Sequence, residues 1–132
     1  MKSADVCPLC SRVASEGLLA ENDLAAAFPD GFPVSPGHAL IVSRRHVADL
    51  FDLTVEEQQA LWALLPLVKE SIDATYKPNA YNIGVNVGAD AGQTVSHVHV
   101  HVIPRYPGDV ADPRGGVRWV IPDRAAYWER SK

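Results

Sequence analysis

Residues 97–103 read His-Val-His-Val-His-Val-Ile, with a histidine at every second position of a β-branched run. Successive side chains of a strand point to opposite faces, so His97, His99 and His101 share one face and the valines share the other. Neighbouring imidazoles in such a row lie about 6.5–7 Å apart, from a rise of about 3.3 Å per residue. That spacing suits one metal ion or one substrate group, while the valine face packs into a core.

The composition describes one globular domain. The 132 residues are 47% hydrophobic, enough to bury roughly two thirds of the unfolded surface. We treat 1–132 as a single domain, with a core of about 5–110 and a tail of 107–132. A net charge of −4 and a pI near 5.6 argue against nucleic acid as a partner. With no secretory signal and no membrane-length apolar run, the sequence predicts a cytoplasmic protein that does not bind membranes.

The histidine run is the last of five predicted strands. A turn at Asn22-Asp23 separates the first two, and the breaker-rich loop 29–37 separates the second from the third. The fourth strand pairs antiparallel with the histidine run across the loop 88–94. The first four strands are predicted at 17–20, 24–28, 38–43 and 81–87.

One long helix lies between the third and fourth strands. Thr54-Val-Glu-Glu57 is a capping-box sequence, and Pro78 ends the helical pattern. Pro66 should kink the helix, since its nitrogen cannot donate a hydrogen bond. The fold class is therefore α+β, about five antiparallel strands with one main helix on one face. The apolar stripe that faces the sheet is Leu61, Leu64, Leu65, Val68 and Ile72.

The residues around the histidine run favour chemistry at phosphorus. A neutral imidazole, with an ordinary pKa of about 6.5, can attack phosphorus without a separate base. Backbone N–H groups near Gly88 and Gly92, with the Gln93 and Thr94 side chains, can donate to phosphate oxygens. A metal site is the main alternative, because His-x-His on a strand also binds catalytic or structural metals.

The only two cysteines, Cys7 and Cys10, form a C-x-x-C pair near the N-terminus. In a reducing compartment this spacing favours metal binding or redox exchange over a structural disulfide. A thioredoxin-like site would need a strand before the pair, and residues 1–6 offer no convincing one. The histidines can supply the two further ligands that a zinc site requires.

Two segments carry a resemblance to a known family. Ala91-Gly-Gln-Thr-Val-Ser-His-Val-His-Val-His-Val-Ile-Pro-Arg105 resembles the signature of the histidine triad (HIT) family, and Ser35-Pro-Gly-His38 resembles its upstream element. The resemblance covers about 5–110 and implies a HIT-like fold that dimerises into one continuous sheet. It also implies a homodimeric enzyme whose small-molecule substrate is a nucleotide. The enzyme would act at the α-phosphate of that nucleotide.

The resemblance assigns the catalytic roles to three histidines. His99 is expected to be the nucleophile, forming a nucleotidyl-histidine that water hydrolyses to release a nucleoside monophosphate. His101 is expected to donate to the phosphate or the leaving group, and His38 to join the same hydrogen-bond network.

The same resemblance implies the substrate contacts. Asp30 stands where relatives hold the ribose hydroxyls, and Phe28 and Ile41 or its neighbours are expected around the base. The residues expected to bind the phosphates are Asn86, Gln93 and Thr94. For the last two, simple turn chemistry is the alternative.

Zinc-bearing members of the family imply a role for the cysteine pair. Their pattern places a structural zinc ion on Cys7, Cys10, His46 and His97, a closed set with no open position. Such an ion would hold one end of the histidine strand against the N-terminus and so steady His99.

The sequence resembles two branches of the family, which act on different substrates. The signature is similar to dinucleoside polyphosphate hydrolases of the fragile histidine triad type, which we favour, whereas Asp30 and Asn86 are similar to purine nucleoside phosphoramidases. A non-catalytic nucleotide-binding regulator and a metal-dependent enzyme are the alternatives from other classes. The segment 114–122 is predicted as a loop with a short β segment, from which Arg114 and Arg118 could reach distal phosphates.

Overall fold

A computed structural model describes residues 7–130 and has a five-stranded antiparallel sheet at its centre. The elements are α1 (Pro8–Val13), β1 (Ala20–Glu21), β2 (Ala25–Pro29), β3 (Ala39–Ser43), α2 (Val55–Tyr76), β4 (Ala80–Val85), β5 (His99–Arg105) and α3 (Pro122–Ala125). The strand order is β1-β2-β3-β5-β4, so the histidine strand β5 lies between β3 and the edge strand β4. The predicted α+β class, with five antiparallel strands and one long helix, is confirmed.

The first two strands form the predicted hairpin. Asn22 Oδ1 accepts hydrogen bonds from the backbone N–H groups of Leu24 (3.0 Å) and Ala25 (2.8 Å), as asparagine commonly does in turns. β1 begins at Ala20 and not at Gly17, because Gly17 has a φ of 84°, a left-handed conformation outside the strand region.

Helix α2 covers one face of the sheet. The predicted capping box is present: Thr54 Oγ1 accepts from the Glu57 N–H (3.1 Å), and Glu57 Oε1 accepts from the Thr54 N–H (2.9 Å). The helix continues through the exposed Pro66 and ends at Tyr76, before Lys77 with a left-handed φ of 52°. Leu65 of the predicted stripe is only partly buried. The buried residues of α2 are Glu57, Leu61, Leu64, Val68 and Ile72.

The sheet separates two apolar cores. The core under α2 includes Ile41, Val100 and Val102. The core on the opposite face lies under α1 and contains Cys7, Leu9, Phe28, Leu40 and Val42. Because side chains alternate along a strand, the β5 histidines lie on the second face, beside Leu40 and Val42.

The histidine strand is displaced from its predicted bounds. β5 starts at His99, because the His97 N–H donates to the Val95 carbonyl (2.9 Å) just before the strand begins. β4 correspondingly spans Ala80–Val85 and not 81–87. The two strands pair antiparallel, as predicted, with Gly84 opposite His101.

The segment after β5 has no strand where a short β segment was predicted, so that prediction is wrong. A 3₁₀ turn spans Gly116–Val120, preceded by Gly115 with a φ of 93°. The N–H groups of Arg118 and Ile121 donate to the Gly115 and Arg118 carbonyls (3.0 and 3.2 Å). Local hydrogen bonds thus replace sheet pairing. Across residues 7–130, no helix has the length and apolar character to cross a bilayer.

Candidate active site

Two of the three histidines lie side by side on β5. His99 pairs with Val42 and His101 with Leu40 of β3, which places both imidazoles on the face away from α2. Their ring centroids are 5.1 Å apart. His99 is nearly enclosed, at 8% exposure, whereas His101 lines an open cleft.

A main-chain hydrogen bond fixes the proton of His99. Its Nδ1 lies 2.7 Å from the carbonyl oxygen of His97. A carbonyl can only accept, so Nδ1 carries a hydrogen, and in the neutral form of the ring Nε2 keeps its lone pair. An imidazole nitrogen with a free lone pair is what nucleophilic attack requires.

His38 orients His101 through a chain of hydrogen bonds. The Val34 N–H donates to His38 Nδ1 (3.1 Å), which places the His38 proton on Nε2. That Nε2 is 3.0 Å from Nδ1 of His101, which accepts the bond and leaves the His101 proton on its own Nε2. The Oδ2 atom of Asp30 lies 3.3 Å from His38 Nε2 and 4.0 Å from His101 Nδ1. His101 is thereby an N–H donor beside the lone pair of His99.

Burial favours the neutral forms of the two supporting histidines. Burial lowers the pKa of His38 below 6.5, although the Asp30 carboxylate opposes the shift. Burial also lowers the pKa of His101, and the neighbouring His99 and His38 lower it further. Both rings are therefore neutral at pH 7, in the tautomers that their partners dictate.

A cleft of about 980 Å³ opens beside His101. The histidine face of β4 and β5 forms its floor, and tail residues 109–120 contribute the facing wall. Its size is at the upper end of the roughly 300–1,000 Å³ typical of small-molecule sites. Asn86, one of the expected phosphate ligands, lines the cleft on the same side as His101.

The four residues expected to hold zinc converge at one end of the sheet. The ligand atoms of Cys7, Cys10, His46 and His97 all lie within 4.8 Å of one another. His97 Nδ1 is 3.6 Å from Cys7 Sγ and 3.4 Å from Cys10 Sγ, and His46 Nδ1 is 3.2 Å from Cys10 Sγ. Tetrahedral zinc, with bonds of about 2.3 Å to sulfur and 2.0 Å to nitrogen, separates S and N by about 3.5 Å. The cluster therefore fits a zinc ion.

Ser43 is a supporting residue that the sequence analysis missed. Its carbonyl oxygen is 2.6 Å from His97 Nε2, so Nε2 carries the hydrogen and Nδ1 is free to face the cysteine sulfurs. A main-chain carbonyl has no side-chain signature, so the sequence held no signal for this role.

Gln93 does not face a phosphate in this structure. Its Oε1 accepts from the Gly88 N–H (2.9 Å), and its Nε2 donates to the Ala48 (2.8 Å) and Val95 (3.0 Å) carbonyls. The amide is thus committed to holding the 88–95 connection against the loop that carries His46. The turn-chemistry alternative describes these contacts, and phosphate binding by Gln93 stays a prediction. Thr94 is exposed.

The three residues expected around the nucleoside are placed differently. Ile41 is fully buried against α2, on the face opposite the histidines, so its expected base contact is wrong. Phe28 is on the histidine face but is 1% exposed, under α1 and the Arg12 guanidinium 4.7 Å from its ring, so it offers no surface to a base. Asp30 turns toward His38, and its Oδ1 accepts from the Phe32 N–H (2.8 Å).

The tail arginines interact within the tail. Arg114 forms an ion pair with Asp112 (2.9 Å) and stacks on Trp128. Arg118 donates to the carbonyls of Ala125 (2.9 Å) and Arg124 (2.8 Å). Neither arginine lines the cleft of its own chain, and contact with distal phosphates, from the same or the partner chain, stays a prediction. The tail instead contributes apolar side chains, Trp119 among them, to the cleft wall.

Comparison with known proteins agrees with this arrangement. A family model described as the HIT domain matches residues 11–108. The chain belongs to the HIT family. Its relatives include the bis(5'-nucleosyl)-tetraphosphatase (asymmetrical) of Schizosaccharomyces pombe, 44% identical over 89 residues. That match covers 67% of this chain and 49% of the relative, so this HIT chain spans about half of the relative's length.

Solved HIT structures share the fold over most of the chain. A HIT family protein from Bacillus anthracis is 34% identical with a TM-score of 0.72, covering 81% of this chain and 78% of that one. A zinc-bound histidine triad family protein from Mycobacterium smegmatis is 27% identical with a TM-score of 0.73, covering 83% and 82% respectively.

Proposed function

We propose that this HIT protein hydrolyses dinucleoside polyphosphates of the diadenosine tetraphosphate type and releases a nucleoside monophosphate. The observation that carries the proposal is the pair of complementary tautomers on β5. His99 holds an unprotonated Nε2, and the neighbouring His101 holds a protonated Nε2 at the cleft. The nucleophile and a hydrogen-bond donor for the departing oxygen are therefore provided by adjacent rings. The tetraphosphatase relative supports this choice of substrate.

The proposed reaction has two displacement steps at one phosphorus. His99 Nε2 attacks the α-phosphorus, a P–N bond forms, and the bond to the bridging oxygen breaks. That oxygen departs as a phosphate anion while His101 Nε2–H donates a hydrogen bond to it. Water then attacks the same phosphorus, and the proton that it loses leaves with the phosphate products or the solvent. The P–N bond breaks, its electron pair returns to His99, and the monophosphate leaves.

The other residues bind and orient. Asn86 is proposed to donate its amide to a phosphate oxygen, and the exposed Thr94 is proposed as a further phosphate ligand. His38 and Asp30 are proposed to keep the donor tautomer of His101. The ribose contact expected of Asp30 would require its carboxylate to turn away from His38, 3.3 Å distant in this structure.

We also propose a structural zinc ion on Cys7, Cys10, His46 and His97. The interatomic distances within the cluster and the zinc-bound relative support it. A closed Cys₂His₂ set stabilises the fold and leaves no position for a substrate. Thiolate ligands need a reducing compartment, which agrees with a cytoplasmic location.

A homodimer is proposed on two features of one side of the molecule. β4 is an edge strand, whose outer N–H and C=O groups have no neighbouring strand among residues 7–130. The adjacent tail has an exposed apolar side chain that does not line the cleft, Ile121, at 58% exposure. Open strand edges and apolar patches are both typical of interfaces.

The test compares kcat/KM for diadenosine tetraphosphate and adenosine 5'-phosphoramidate in the wild type and in His99→Ala. We expect faster cleavage of the dinucleotide and a loss of at least about a thousandfold in kcat in the variant, with the nucleotide still bound. A variant that keeps most of its activity would exclude His99 as nucleophile. Preference for the phosphoramidate would assign the second branch. Binding without turnover in the wild type would indicate a regulator.

A further inference from the structure

Gly84 occupies a position where nothing in the described chain requires a glycine. It lies in the interior of β4, and its φ is outside the positive range that favours glycine. An added Cβ would meet no atom within 4 Å. Gly37 is the contrast: its φ is 89°, and a Cβ there would lie 2.8 Å from the Tyr76 ring. Backbone geometry and packing explain Gly37, but they do not explain Gly84.

The open space above Gly84 belongs to the cleft. Gly84 pairs with His101, and strand alternation places the missing side chain on the histidine face. Both residues line the cleft. Glycine weakens a strand, because it has no side chain to pack, and in a strand interior it often marks the close approach of a ligand or another backbone.

The neighbour of Gly84 indicates which part of the substrate would approach. In the proposed reaction His101 donates a hydrogen bond to the oxygen that departs, so the leaving group lies beside His101. The retained nucleotide is bonded to His99, which is nearly buried one step further along β5. From His101 the cleft extends past Ile103 to Arg105, away from His99, and so lies on the leaving-group side.

We propose that Gly84 is a specificity-determining residue that keeps the cleft floor clear for a bulky leaving group, namely a second nucleoside with its phosphates. This inference rests on the proposed function. A side chain at position 84 narrows the cleft beside His101 and leaves the nucleophile untouched. Leaving-group size therefore decides how much a substitution costs.

The experiment uses Gly84→Val and Gly84→Ala with two substrates that share the retained adenylate. Diadenosine tetraphosphate has a bulky leaving group, and adenosine 5'-phosphoramidate releases only ammonia. We expect Gly84→Val to lower kcat/KM for the dinucleotide at least tenfold and to change that for the phosphoramidate less than twofold. The alanine variant should lie between wild type and valine. Ala80→Val is the matched control, on the same strand and face but outside this cleft.

Three outcomes would overturn the inference. Equal losses of kcat/KM for both substrates would mean that the substitution affects the shared adenylate or the fold. No loss of kcat/KM for either substrate would show that the leaving group does not occupy the cleft floor. A Gly84→Val protein of changed oligomeric mass with equal losses would assign the position to a chain–chain contact. Unfolding midpoints of the variants, expected at or above wild type, check the fold.

Failure of the proposed function can be told apart from failure of this inference. If the wild type cleaves neither substrate, the hydrolase proposal fails, and calorimetric binding decides the role of Gly84. Gly84→Val should then weaken binding of diadenosine tetraphosphate at least tenfold relative to binding of adenosine monophosphate. Equal affinities of wild type and Gly84→Val for diadenosine tetraphosphate would overturn the inference.

Discussion

The carbonyl oxygen of His97 accepts the Nδ1 hydrogen of His99 at 2.7 Å, while the His97 side chain faces the Cys7 and Cys10 sulfurs. One residue thus belongs both to the cysteine–histidine cluster and to the support of the nucleophile. The ring and this carbonyl both belong to His97, which lies just before β5. A displacement of the His97 ring therefore moves the carbonyl as well. The geometry of the cluster therefore affects the hydrogen bond that sets the tautomer of His99.

Loss of the cluster should affect both stability and chemistry. Cys10→Ser is expected to reduce bound zinc from about one ion per chain and to lower the unfolding midpoint, by on the order of 10 °C for a loss of a few kcal/mol. The kcat should fall more than KM rises, because the nucleophile loses its orientation. Elemental analysis, thermal unfolding and steady-state kinetics measure the three effects.

Glu16→Gln is the control for this change, since Glu16 is exposed just after α1 and outside the cluster. It should match wild type in all three measurements. A Cys10→Ser protein with full zinc content would contradict the assigned ligand set. A zinc-free protein with unchanged kcat would contradict the connection to His99.

His38→Ala tests the chain of hydrogen bonds that ends on His101. Without the His38 Nε2 donor, Nδ1 of His101 loses its 3.0 Å partner and the ring can adopt the other tautomer. A hydrogen bond between neutral groups is worth about 0.5–1.5 kcal/mol, so its loss corresponds to a fall in kcat of about twofold to tenfold. His38→Gln, whose amide can donate from a similar position, should recover part of the loss. Equal rates for the two variants would show that packing, and not the donor, is the contribution of His38.

Gln93 and Asn86 should separate stability from substrate binding. Gln93→Ala removes three hydrogen bonds that hold the 88–95 connection, so we expect a loss of about 1–3 kcal/mol in the free energy of unfolding. Asn86→Ala should leave that free energy within about 0.5 kcal/mol, because the side chain lines the cleft, and should raise KM or lower kcat. Urea unfolding with parallel kinetics makes the comparison. The reverse pattern would restore Gln93 as a phosphate ligand.

The sequence predicted local features well and spatial partners poorly. The capping box of Thr54 and Glu57 and the alternation that places His99 and His101 on one face depend only on neighbours along the chain. Ile41 was assigned to the wrong face because β3 is apolar or buried at every position, so its pattern does not distinguish the two faces. The hydrogen bond between Gln93 and Ala48 was not predicted, because the two residues are remote in sequence.

The pH dependence of stability should depend in part on Glu57. Its carboxylate accepts two hydrogen bonds from the Arg45 guanidinium (2.7 and 3.0 Å), and these, with the Thr54 N–H, lower its pKa from 4.5 to about 2. A lowered carboxyl pKa stabilises the fold above the unfolded value, and this stability is lost as pH falls from about 4.5 toward 2. Between those limits wild type should lose about 2–3 kcal/mol more than Glu57→Gln. Glu56→Gln, an exposed change in the same helical turn, should follow wild type. The three proteins are otherwise identical, so the difference between their pH profiles isolates Glu57, and parallel profiles would contradict the assignment.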